Sequence, residues 1–133
     1  MRTELRRGAG CLALHAGAAL AIGAACLALD AYHETKAAQM LKRVGGEGRT
    51  APWLGGSAIV EAKFVGASPT AEDLAALVPL RALQVVDLSF SRIGDRELAA
   101  LVPCRAQLII VPDGCTSRRV RQQFAASRLV IGY

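Results

Sequence analysis

Polar and apolar residues change their spacing three times along this chain. From Gly8 to Leu29 no formal charge interrupts "GAGCLALHAGAALAIGAACLAL", and His15 is its one strongly polar group. At ~1.5 Å rise per residue, a helix of this length covers the hydrocarbon core of a bilayer. Between His33 and Gly46, Ala37, Met40, Leu41 and Val44 recur at helical spacing, and Gly45 and Gly46 make a stop. Its polar face is mixed in sign, where a membrane-surface helix is rich in Lys and Arg, so packing against the following domain is favoured. The Gly- and Pro-rich "EGRTAPWLGGS" (47–57) reads as a loop, with Trp53 plugging the end of the core behind it.

From Ile59 onward a two-residue period alternates with a three-residue one. Val86 and Leu88 share one face of a strand, with Val85, Asp87 and Ser89 on the other. Leu98 and Leu101, like Leu74 and Leu77, share one side of a short helix. The two helical phrases repeat: Glu72–Leu83 and Arg96–Gln107 agree at eight of twelve positions, 24 apart. Ile59, Ala62, Phe64, Ala67 and Pro69 recur at that offset as Leu83, Val86, Leu88, Ser91 and Ile93. Thr70 and Asp95 stand at N-cap positions, Thr70 with Asp73 as a capping box, and Pro79 and Pro103 end the helices. The third unit is looser. It keeps "LIIV" but sets Pro112 where Leu88 would repeat, places Val120 and Phe124 on a helix starting near Thr116 or Ser117, and ends on a strand-like "LVIGY". One such strand-turn-helix unit cannot bury its apolar side alone, whereas stacked copies share a continuous core.

The spacing Leu83, Val86, Leu88, Ser91, Ile93 resembles the leucine-rich-repeat pattern LxxLxLxxNxL. With its 24-residue period, "LSFSRIGDRELAAL" (88–101) is similar to the ribonuclease-inhibitor-like branch, and in particular to short bacterial members of it. The resemblance covers about residues 37–115 and departs at the ladder position, held here by Ala67, Ser91 and Cys115. It implies an α/β fold: a short solenoid of two to three units with parallel strands, preceded by an N-terminal transmembrane helix. The expected layout is a basic tail (1–7), a membrane helix (8–30), a juxtamembrane helix and linker (31–58), and the repeat domain with its C-terminal cap (59–133).

Charge narrows the partners. The net +5 sits at the ends: residues 107–133 hold Arg118, Arg119, Arg121 and Arg128 against Asp113 alone. Six aromatics in the whole chain make no basic-aromatic stripe, so nucleic acid is not expected. The apolar run is long for a cleaved signal peptide, no Ala-x-Ala site closes it, and Cys26 closes no lipoprotein signal. A single-pass, uncleaved membrane anchor is expected. Three basic residues before it (Arg2, Arg6, Arg7) and three after it (Lys36, Lys42, Arg43) leave its orientation open.

No enzymatic signature is present. Both histidines, His15 and His33, lie in or beside the anchor, and GxxxxGK[ST], HExxH and GxSxG are missing. Cys104 and Cys115 have neither CxxC nor metal-like spacing and read as free thiols. No cofactor or metal is expected. The resemblance instead implies protein binding on the open strand surface, through Glu61, Lys63, Val65, Val85, Asp87 and Ser89, joined by Ile109 and Val111. Lys63 and Asp87 occupy equivalent strand positions and are expected to form a cross-strand salt bridge. Two other readings stay open: a structural repeat remnant that self-associates, and electrostatic contact of Arg118, Arg119 and Arg121 with an anionic surface, a membrane or nucleic acid.

Overall fold

Helix α1 runs from Glu4 to Val44 and takes in both the uncharged run and the amphipathic stretch after it. The computed structural model of the chain describes residues 4–54, 56–125 and 128–132, with side chains from His15 onward. Met1–Thr3 and the side chains of Arg6 and Arg7, hence the basic tail placed at 1–7, lie outside the described residues. The chain divides into two units, Met1–Tyr32 and His33–Tyr133. In the first, Leu20, Ile22, Leu27 and Leu29 are all at least half exposed. The helix is long and apolar enough to cross a membrane, a test that a signal sequence near an N-terminus also meets.

In the second unit the same helix has another role. Ala37, Met40 and Leu41 are buried in the core and Val44 packs against it, so this apolar stripe is spent on the domain itself. The expected loop after it is a strand. β1 (Gly46–Trp53) pairs antiparallel with β2 (Gly56–Val65), with Trp53 opposite Gly56 at the hairpin end. Leu54 has φ 31°, in the positive region that such tight turns use. The glycines belong to the strand for a packing reason. A Cβ on Gly46 would lie 2.9 Å from Leu41 Cδ2, and one on Gly48 3.1 Å from Leu41 Cδ1. Trp53 plugs no core; it is exposed at the hairpin tip.

Three βα steps follow. Helices α2 (Ala71–Ala75), α3 (Asp95–Ala99) and α4 (Arg118–Arg121) alternate with β3 (Val85–Phe90), β4 (Leu108–Pro112) and β5 (Leu129–Gly132). The strands form one sheet in the order β1-β2-β3-β4-β5, in which every pair after the hairpin is parallel. The fold is therefore α/β: a long apolar helix and a mostly parallel five-stranded sheet.

All helices pack on one side of the sheet. Leu74, Leu77, Leu98, Leu101 and Val120 join Phe64, Val86, Leu88, Ile109 and Val111 in one core. Each fully buried Leu, Ile or Phe there contributes about 1.5–3 kcal/mol. The two matching phrases fold alike. Leu77 N–H donates to the Leu74 carbonyl and Leu80 to Leu77; Leu101 donates to Leu98 and Cys104 to Leu101. These i→i−3 turns carry each short helix to its proline in 3₁₀ fashion.

The caps agree in part with expectation. Thr70 forms the capping box with Asp73, each side chain accepting from the other's backbone N–H. In the next unit the N-cap is Gly94, whose N–H donates to Glu97 Oε2 at 3.0 Å. Asp95, expected as the cap, is the first helical residue, and its carboxylate accepts from Ser117 N–H at 2.6 Å, joining α3 to the cap of α4.

Candidate functional site

The face of the sheet opposite the helices carries the candidate surface, and its composition follows from strand register. β2 and β3 pair Glu61 with Val85 and Lys63 with Asp87, as their 24-residue offset predicts. β3 and β4 pair Val85 with Leu108, Val86 with Ile109 and Asp87 with Ile110, an offset of 23. A one-residue change of register exchanges the two faces of a strand. Ile109 and Val111, expected on the open surface, are both 0% exposed and belong to the core. Leu108, Ile110 and Pro112 take the outer positions and are half-buried.

The cause is local. Leu83 and Gln84 stand between Ala82 and Val85, but only Gln107 stands between their counterparts Ala106 and Leu108. The Gln84 carbonyl accepts from both Gln107 N–H, at 2.8 Å, and Leu108 N–H, at 3.0 Å, so the third unit is one residue short. Val111 therefore takes the place of Leu88, and Pro112 does not interrupt the core. The missing residue is regained at the Asp113–Gly114 turn, where Gly114 has φ +70°. By Cys115 the offset is 24 again: Cys115 Sγ donates to the Pro112 carbonyl as Ser91 Oγ donates to that of Leu88. Ala67, at the same ladder position, has no side-chain donor, and its carbonyl accepts from Arg92 N–H.

Electrostatics across the face run from charged to apolar. On β1 and β2, Arg49 Nε donates to Glu61 Oε2 at 2.7 Å, a cross-strand pair between register partners. Exposed pairs of this kind are worth about 0–1 kcal/mol. The expected Lys63–Asp87 bridge is not formed. Asp87 Oδ1 accepts from Ser89 N–H at 3.0 Å and Ser89 Oγ at 2.5 Å, a local turn that wins over a long flexible lysine. Towards β4 and β5 the outer positions become Val85, Leu108, Ile110 and Val130. Where β2 and β3 leave the sheet, the register partners Val65 and Phe90 are 52% and 61% exposed.

The remaining candidates lie elsewhere. Arg118 and Arg119 are exposed on α4, while Arg121 is half-buried. Arg121 and the Ser117 N–H and hydroxyl hold the Asp95 carboxyl below its ordinary value, Ser117 contributing more. The fourth arginine of this segment went unread as a structural residue. Arg128 Nε donates to the Ala106 carbonyl at 2.7 Å and Nη1 to that of Val102 at 3.2 Å, with the guanidinium 5.7 Å from the centre of the Phe124 ring.

An open cleft of about 510 Å³ lies between the end of α1 and α2, lined by Lys36, Gln39, Met40, Arg43, Glu72 and Asp73. Asp73 there is engaged by this chain itself, Oδ1 accepting from Arg43 and Oδ2 from Thr70 N–H and Thr70 Oγ1. Cys104 and Cys115 are free thiols, and burial pushes the Cys104 thiol up, away from reactivity. Among the described residues no three His, Cys, Asp or Glu side chains gather to hold a metal ion. Compared with family models, curated proteins and solved structures, the chain matches none of them.

Proposed function

We propose that this chain is a short leucine-rich-repeat protein of the ribonuclease-inhibitor-like type, anchored in a membrane by residues 8–29 and binding another protein on the outer face of its sheet. The observation that carries the reading is the one-sidedness of the sheet. The helices pack on the inner face, and Lys63, Val85 and Asp87 stay half-exposed on the outer one, where Gly132 of β5 closes on Ser89 and Ile110. A mixed charged and apolar face of this kind suits a protein partner better than a small molecule, which needs concavity. The anchor reading rests on the uncharged run ending at Leu29, before the core residues begin at Ala37.

The test is site-specific photo-crosslinking of the full chain in its native membrane. A photoreactive side chain at Lys63 or Val85 should give an adduct with another protein, and one at exposed Glu72, on the helix side, should not. Asp87→Lys should remove the adducts. Adducts that persist unchanged in that variant would refute binding on this face.

A further inference from the structure

Within the second unit, the last turns of α1 run in the same sense as β2. Ile59 N–H donates to Glu34 Oε2 at 2.8 Å, and further on Leu41 approaches Gly46, the register partner of Phe64. Followed backward from Glu34 and Ile59, both elements leave the core at one end. There β2 reaches Gly56 and its partner Trp53 after three residues, about 10 Å of strand. Along the other element Leu29, the last residue of the uncharged run, is five residues from Glu34, about 7.5 Å of helix. Two short arms thus tie the hairpin tip and the end of the apolar run to one hydrogen bond, whatever the angle between the two units.

The tip is apolar without serving the core. Trp53 and Leu54 are 43% and 67% exposed. No charged residue stands between Arg49 and Glu61, and those two are bonded to each other. Leu54 also holds φ 31°, a region that suits Gly or Asn and strains a bulky side chain. A small polar residue would serve the turn better, so the leucine points to an apolar environment outside the chain. Tryptophan is enriched where a membrane meets water, its ring lying at headgroup level. We propose that Trp53 and Leu54 insert into the headgroup layer of the bilayer that residues 8–29 span. That layer is about 5–8 Å deep on each side of the hydrocarbon core, a depth on the scale of the two arms. This site deepens the anchor reading and exists only if that reading holds. A single helix lets the domain swing above the membrane; a second hold beside it fixes the direction in which the outer face is presented.

Trp53 is the only tryptophan in the chain, so its fluorescence reports the tip directly. The full chain is placed in phosphatidylcholine vesicles, with iodide on both sides of the bilayer or with lipid brominated near the headgroup end of its acyl chains. Bromolipid should quench Trp53 and iodide should not, and the emission should lie to the blue of that of the unfolded chain in urea. Leu54→Asp sets a charge at an exposed site whose positive φ Asp tolerates. It should reverse both quenching results and shift the emission to the red, while the chain stays with the vesicles and keeps its thermal midpoint. Asp87→Lys, on the outer face, should leave the quenching unchanged. An anchored chain whose Trp53 is quenched by iodide and spared by bromolipid would overturn the proposal alone. Protection from both quenchers would overturn it too, because a second copy would then cover the tip. So would loss of bromolipid quenching in Asp87→Lys, which would put the outer face on the lipid instead. A chain that leaves the vesicles at alkaline pH would refute the anchor itself, and the tip contact with it.

Discussion

Replacing Ile109 and Ile110 by alanine, one at a time, tests the register of β4 directly. Both changes remove the same atoms from adjacent residues, so any difference reports the face. Ile109 is fully buried among Val86, Leu88 and Leu101, and truncation leaves a cavity in a packed core. Ile→Ala at such a site costs about 2–5 kcal/mol. Ile110 is half-buried on the outer face and loses only partial contact, at a cost of about 1 kcal/mol or less. A domain of this size has about 5–15 kcal/mol in total, so the first change consumes a large share. Pulse proteolysis of the full chain across a urea series reads the folded fraction without interference from the micelle-bound helix. Ile109→Ala should lower the midpoint by about 1–3 M, and Ile110→Ala by a fraction of that. Equal losses, or a larger loss at Ile110, would mean that the 24-residue offset continues into β4 and that Ile109 and Val111 face outward after all.

The same assay should show Gly46→Ala destabilising by about 1–3 kcal/mol, since the added methyl meets Leu41 and the Lys63 carbonyl; a neutral result would show that α1 does not approach β1 this closely. Asp73 is opposed by burial, but Thr70 and Arg43 outweigh this and hold its pKa below the ordinary value. Its contribution is thus present above the unfolded aspartate range and lost as pH falls through and below about 4. Asp73→Asn should accordingly be less stable than the native chain at pH 7, with the gap closing in acid, and a gap independent of pH would count against the pair. For the anchor, the mature chain should retain residues 8–29 and stay with membranes at alkaline pH, and a mature terminus after Leu29 would exclude it.

Much of the second unit was legible because its core positions are spelled twice. Ile59, Ala62, Phe64 and Ala67, with Leu83, Val86, Leu88 and Ser91, are all buried at the offset that the repeat predicts. What escaped were features whose local signal points the other way. Gly46, Gly48 and Pro52 look like loop residues, yet the glycines make room for Leu41, and a proline is compatible with an edge strand. The slip before β4 leaves no mark in composition, because "LIIV" is apolar on both faces and reads equally well in either register. The 23-residue register of β3 with β4 reveals it, and the compensating turn at Gly114 hides it again by Cys115.

Arg128 has a structural place in the same stack. Short helices leave carbonyls without intrahelical partners at their C-termini, and buried ones must be satisfied elsewhere. The turn after α2 is followed in the stack by its copy after α3, where Cys104 Sγ lies 4.0 Å from the Leu77 carbonyl. After α3 the next unit is looser, and Arg128, 24 residues beyond Cys104, holds the equivalent place. Arg128 supplies the missing donors to Val102 and Ala106 from the segment leading into β5, while its own carbonyl starts the ladder to Ile109. One side chain thus ties the last helix turn, the Phe124 ring and the edge strand together.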